Sequence, residues 1–103
     1  MNNKRKGSDG ERIAKKLLEA AGYVCTKAAA SLGAVDLIAI GPTGVRCIQV
    51  KVSSSSEMLQ PARLQAVRET LYDLPRPANL TYEIWVRHKR ADRKWHWYTE
   101  VVQ

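Results

Sequence analysis

A single α/β domain in the order αβββαββ is predicted by three observations. Two segments carry apolar residues at helical spacing, five short runs read as strands, and turn residues separate them without a linker or an internal repeat. At 103 residues the chain is about one domain long, with a modest core.

The first helix is marked by Ser8 and, three residues later, Glu11, a capping-box pattern, after which Ile13, Ala14, Leu17, Leu18 and Ala21 form an apolar stripe. Gly22 suits the end of that helix, and Tyr23 to Lys27 reads as a short strand. Ala28 to Gly33 is a small-residue loop. Val35 to Ile40 and Val45 to Val52 are apolar on both faces, as expected of central strands, and Gly41-Pro42-Thr43-Gly44 is the turn between them. After the polar loop Ser53 to Ser56, Pro61 suits the first turn of a second helix carrying Leu64, Val67 and Leu71, which Pro75 and Pro77 close. Thr81 to Arg87 and Lys94 to Val102 make the last strand pair, rich in Trp and Tyr and joined by the charged turn His88 to Arg93. The aromatic residues of that pair are read as core or subunit interface rather than as base-stacking platforms. Residues 1–7 form a basic N-terminal arm and residues 8–103 the domain.

Seventeen Lys and Arg against ten Asp and Glu leave a net charge of +7, which makes nucleic acid the first partner to consider. Charge is concentrated at Lys4, Arg5 and Lys6 and again at Arg87, Lys89 and Arg90. No run approaches the roughly 18 apolar residues of a membrane span, and no secretory leader is recognisable, so no membrane partner and a cytoplasmic location are expected. Cys25 and Cys47 lack zinc-ligand spacing and are read as buried reduced thiols. His88 and His96 are assigned no chemistry.

A four-residue turn at Gly41 to Gly44 would pair Ile40 with Val45 and bring Asp36 opposite Gln49, with Lys51 two residues on and facing the same way. A three-residue turn with a bulge at Gly44 would instead send Gln49 and Lys51 to the other face. Polar side chains on otherwise apolar strands carry a desolvation cost that favours a functional site. The structural alternative is an Asp36 to Lys51 ion pair at the sheet end. Glu11 has its own structural alternative, bonding back to Ser8 and pairing with Lys15, although it lies only about 20° from Leu18 around the helix and can look toward the sheet.

Gly7-Ser8-Asp9-Gly10-Glu11-Arg12, Asp36-Leu37-Ile38-Ala39 and Gln49-Val50-Lys51 together resemble the three motifs of archaeal-type Holliday junction resolvases in the PD-(D/E)XK superfamily, G-x-x-x-E-R, P-D-hydrophobic-hydrophobic-A and E-x-K. The resemblance implies a restriction-endonuclease-like core with a mixed central sheet flanked by helices, and a homodimer that cuts four-way junction DNA using Mg²⁺, with Mn²⁺ as a substitute. It implies Asp36, Gln49, the Val50 carbonyl and Glu11 as metal ligands, Lys51 as the group that positions the attacking water, and Ser31 near the scissile phosphate. Arg12, Lys27 and Ser31 join the basic clusters as DNA contacts. Hard oxygen ligands suit Mg²⁺, and a nearby ammonium stabilises charge that develops in the transition state. Val35 stands where the family has proline, and Gln49 where it has glutamate. The missing charge at position 49 leaves three readings open: an active natural variant, which is preferred because Asp36, Lys51 and Glu11 are retained; a copy that binds junctions without cutting; or an engineered inactive form. A restriction- or repair-type nuclease on the same core is the further alternative.

Overall fold

The structure, a computed structural model, describes residues 3–28, 33–53 and 59–103, with side chains described from residue 9 onward. Its elements are α1 (Asn3–Ala20), β1 (Val24–Lys27), β2 (Leu37–Ile40), β3 (Val45–Val52), α2 (Pro61–Tyr72), β4 (Leu80–Lys89) and β5 (Trp95–Val102). They follow the expected order. The strands form one sheet in the order β1-β2-β3-β4-β5, antiparallel except for the β3 to β4 step, which is parallel and spanned by α2. No described helix is long and apolar enough to cross a membrane.

Alternation along the strands sends side chains to two layers. On one face Ala14 and Leu18 of α1 pack with Cys25, Leu37, Ala39, Ile48, Val50 and Trp85. On the other, Leu64 and Leu71 of α2 pack with Val35, Cys47, Tyr82, Ile84, Val86 and Val102. Cys25 and Cys47 are free and buried in these opposite layers, as reduced thiols should be.

Two helix boundaries are instructive. At its C-terminus α1 ends where Gly22 adopts a φ of 99°, with Gly22 N–H donating to Glu19 O and Tyr23 N–H to Leu18 O, the paired bonds of a Schellman cap. At its N-terminus α1 begins at Asn3 rather than Ser8. Ser8 is therefore not an N-cap, and the capping-box reading of Glu11 is corrected: the polar segment Asn3 to Gly7 carries no apolar stripe, so periodicity could not reveal that the helix extends through it.

Gly10 sets how closely α1 approaches the sheet, since a Cβ there would lie 2.8 Å from Val52 Cγ2 and 3.5 Å from Val50 Cγ1. Gly10→Ala gains about 1 kcal/mol of helix propensity but forces an overpacked contact costing about 1–3 kcal/mol. A net loss of stability is expected, read as a lower urea midpoint. A higher midpoint would mean that β3 yields at no cost.

Candidate active site

The site begins with a break in a strand. The β2 to β3 ladder has the expected register, Ile40 opposite Val45 through Leu37 opposite Ile48. There it stops, because Asp36 N–H donates to Ile48 O at 2.9 Å, placing both Asp36 and Leu37 against Ile48. Two residues facing one is a β-bulge. Its effect on phase is visible on either side: Leu37 and Ala39 lie in the α1 layer, whereas Val35 lies in the α2 layer with Ile38 against it.

The expectation that Asp36 sits opposite Gln49 on one face is therefore corrected. The turn at Gly41 to Gly44 closes as predicted, Gly41 N–H to Gly44 O at 2.9 Å, so the bulge lies at Asp36 and not at Gly44. Asp36 meets the next residue instead, its Oδ2 accepting from Val50 N–H at 2.8 Å. By the alternation that this turn fixes, the Val50 carbonyl points to the same side of β3 as its N–H, into the gap that the bulge opens. Gln49 and Lys51 face the α2 side, where they line a cavity of about 450 Å³ with Gly33, Ala34, Ala66, Val67 and Thr70.

Asp36 is half-buried at the bulge. Burial pushes its carboxyl up from the ordinary range, and the Val50 N–H and the Lys51 charge oppose that rise without cancelling it. Glu11 is pushed up by burial and then by the negative charge of Asp36, against the pull of Lys27. The α1 carboxylate and the strand carboxylate thus repel each other across a partly buried gap, with one lysine near each. Lys15 pairs with Glu19 at 3.1 Å, and among the described residues neither Glu11 with Lys15 nor Asp36 with Lys51 closes an ion pair.

Hard oxygen donors suit a divalent cation, and those present fit one. The Glu11 and Asp36 carboxylates are near enough for one charge to act on the other, Asp36 Oδ2 lies against the Val50 N–H, and Gln49 Oε1 is buried with no hydrogen-bond partner among the described residues. Among the described residues no three of Asp, Glu, His and Cys cluster as a metal site.

The family model for archaeal Holliday junction resolvases (Hjc) matches residues 2–91. The chain belongs to this family. Family membership assigns it to the junction-cleaving nucleases, with branched DNA as substrate class, and the family is metal-dependent in general. Among solved structures, Archaeoglobus fulgidus Hjc, a Holliday junction resolvase from an archaeal hyperthermophile, is similar at 19% identity over 85% of this chain and 71% of that chain, with a TM-score of 0.46. No curated protein matches.

The remaining expected residues are dispersed. Ser31 lies outside the described residues, as do the side chains of Lys4, Arg5 and Lys6, whose backbone forms the first turns of α1. Lys27 is exposed at the end of β1 and acts on Glu11. Arg12 is exposed beside Asp9 at 3.8 Å, and Arg90 is exposed in the β4 to β5 turn. Arg87 and Lys89 lie over the indole of Trp95, at 4.4 Å and 5.0 Å from its centroid. Of the aromatic residues read as core or subunit interface, Trp95 lies outside the core of the single chain. Trp85 and Trp97 do pack together edge to face, 5.6 Å apart, but Trp95 is 37% exposed. Its signal was available in the sequence, as cations two apart on one strand facing tryptophans two apart on the next.

Proposed function

We propose that the chain cuts four-way DNA junctions by Mg²⁺-dependent phosphodiester hydrolysis, with Mn²⁺ able to substitute, and that two copies act as a homodimer on the two related scissile phosphates. What supports the metal reading is a pair of partly buried carboxylates, Glu11 and Asp36, near enough for the charge of Asp36 to raise the pKa of Glu11, beside the bulge where Asp36 Oδ2 accepts from Val50 N–H. Repulsion of that kind is relieved by a cation.

Asp36, Glu11, the Val50 carbonyl and Gln49 Oε1 would hold the ion, with Asp36 fixed in place by the Val50 N–H. A divalent cation bound there would supply Lewis acidity toward the scissile phosphate and lower the pKa of the attacking water. Lys51, whose charge already reaches Asp36, would orient that water and stabilise negative charge growing on the phosphate. Ser31, between β1 and β2 in sequence, would approach the same phosphate. Lys4, Arg5, Lys6, Arg12, Lys27, Arg87, Lys89 and Arg90 would meet the backbone of the junction arms.

A labelled four-way junction incubated with Mg²⁺, with Mn²⁺ and with chelator, in competition with linear duplex, tests this function. Cleavage that needs the metal and survives duplex competition is the expected result. Gln49 is the one feature favouring a second reading, a protein that binds junctions without cutting, and tight binding with no product under either metal would establish that reading. Gln49→Glu tests the ligand assignment. Restoring a carboxylate should lower the Mg²⁺ concentration for half-maximal cleavage, because a hard dication is held better by charge than by an amide dipole. An unmoved titration would remove Gln49 from the ligand set.

A further inference from the structure

The α1 face carries a second feature that the cleavage site does not use. Between the N-terminal half of α1 and the end of the β4 to β5 hairpin lies a groove of about 300 Å³ lined by Asp9, Arg12, Ile13, Val52, Arg87 and Trp95. Arg87 is paired with Val52 across the parallel seam, one residue beyond Lys51, and Arg12 follows Glu11 on α1. The groove thus abuts the cleavage site.

Charge in this groove is out of balance. Arg12, Arg87 and Lys89, the last lying on the same indole as Arg87, meet the single carboxylate of Asp9 among the described residues that line the groove or stack on Trp95. Asp9 is 3.8 Å from Arg12, too far for a strong pair. Burial holds the Arg87 guanidinium below its ordinary value, Asp9 raises it, and Arg12 depresses it further, as expected of cations crowded without enough counter-charge. Trp95 offers the pair a flat, electron-rich surface that fixes their heads while leaving guanidinium N–H groups free to donate.

We propose that this groove is a backbone clamp for the DNA strand beside the scissile phosphate, in which Arg12 and Arg87 take a phosphate and Trp95 is the positioning residue that holds Arg87 and Lys89 in place to do so. The proposal rests on the junction-nuclease reading. It adds an aromatic support for the basic residues, contributed by β5, which lies beyond the stretch that the family model matches.

Binding of labelled junction, linear duplex and single strand is measured in chelator across a salt series, with circular dichroism to verify the fold of each variant. Arg87→Ala should flatten the slope of log affinity against log salt by about 0.9, one phosphate contact. Trp95→Ala, although it removes no charge, should weaken junction binding about tenfold, whereas Trp95→Phe, which keeps a ring, should keep most of the affinity. Intrinsic fluorescence should change on DNA addition in wild type and less in Trp95→Phe. Folded variants of Arg87 and Trp95 with wild-type affinity and slope, on a protein that still selects and cuts junctions, would overturn the clamp and leave the nuclease standing. Variants that weaken all DNA equally, on a wild type with no junction preference, would keep the clamp and remove the junction reading. A Trp95→Ala protein that sediments as monomer where wild type is dimer, with DNA affinity per copy unchanged, would assign the groove to a second copy of the chain and overturn the proposal.

Discussion

Asp36→Asn is expected to abolish junction cleavage, by about a thousandfold or more if several kcal/mol of metal-assisted stabilisation is lost, while junction binding in chelator stays intact. The same substitution should raise the thermal midpoint of the metal-free protein. Asp36 has its carboxyl raised by burial more than Val50 N–H and Lys51 lower it, so at neutral pH the fold carries an ionised group that it disfavours. Asparagine removes that charge and keeps an oxygen for the Val50 N–H. Asp36→Ala separates the two effects. It loses the acceptor as well, leaving a partly buried N–H unpaired at a cost of about 1–3 kcal/mol, and its midpoint should fall below that of the asparagine variant. Cleavage by Asp36→Asn within tenfold of wild type would dismiss Asp36 as the centre of the site, an asparagine midpoint no higher than that of wild type would dismiss the cost of the buried charge, and equal midpoints for the two variants would dismiss the Val50 N–H bond as a stabilising contact.

Glu83→Ala should be strongly destabilising although it lies away from the site. Glu83 is 4% exposed in the α1 layer, yet it is satisfied on every side, accepting from Arg46 Nε at 2.6 Å and Nη2 at 2.7 Å, from Thr81 Oγ1 at 3.1 Å and from Trp85 Nε1 at 3.1 Å. Arg46 in turn lies over the rings of Tyr23 and Trp85. Removing the carboxylate strands a half-buried guanidinium and an indole N–H, at a cost of about 3 kcal/mol, the low end for a buried pair because Arg46 keeps some solvent. Against a total of roughly 5–15 kcal/mol this is a large fraction, read as a fall in the urea midpoint. Replacing both partners with apolar residues of similar size should recover most of it.

The pH dependence has a definite sign. Burial alone would raise the Glu83 carboxyl, but the bonds from Arg46, Trp85 and Thr81 outweigh it and hold the group below the ordinary value of 4.5. Its stabilisation is therefore full above about 4.5 and is lost as pH falls through the lower, folded value. Stability of wild type should decline in that acid window more steeply than that of Glu83→Gln. Parallel curves would mean that another carboxylate governs acid unfolding.

The elements were legible from the sequence because each has a strong local cause: a 3.6-residue apolar stripe in each helix, Gly22 and Pro61 at helix ends, and an apolar run with turn residues around each strand. The β2 to β3 register was legible too, since the four-residue turn fixes it. The face on which Asp36 lies was not. A bulge announces itself in sequence only by breaking an alternation, and Val35 and Leu37 are apolar whichever layer they enter, so a strand covered on both sides conceals its own phase. Arg46 and Glu83 were hidden for the opposite reason. Charged residues on separate strands read as surface until the parallel seam brings them together. Glu11 could be named from a motif, but that it is no capping-box residue and is not the partner of Lys15 became visible only from where α1 starts and from the Lys15 to Glu19 pair.

The parallel seam also orders events in time. Every proposed metal ligand lies between Glu11 and Val50, in α1 and a run of antiparallel strands whose contacts are short in sequence, whereas β3 meets β4 only after α2 has been crossed, Val45 pairing with Leu80. Short-range closures are fast and the long one is slow, so a growing or refolding chain can assemble the β1 to β3 meander well before its central strand is covered. During that interval β3 is an open edge, with the backbone groups of Val45, Cys47, Gln49 and Lys51 unpaired beside an apolar surface. The strand proposed to carry the chemistry is thus also the one left open to aggregation if α2 is late to dock.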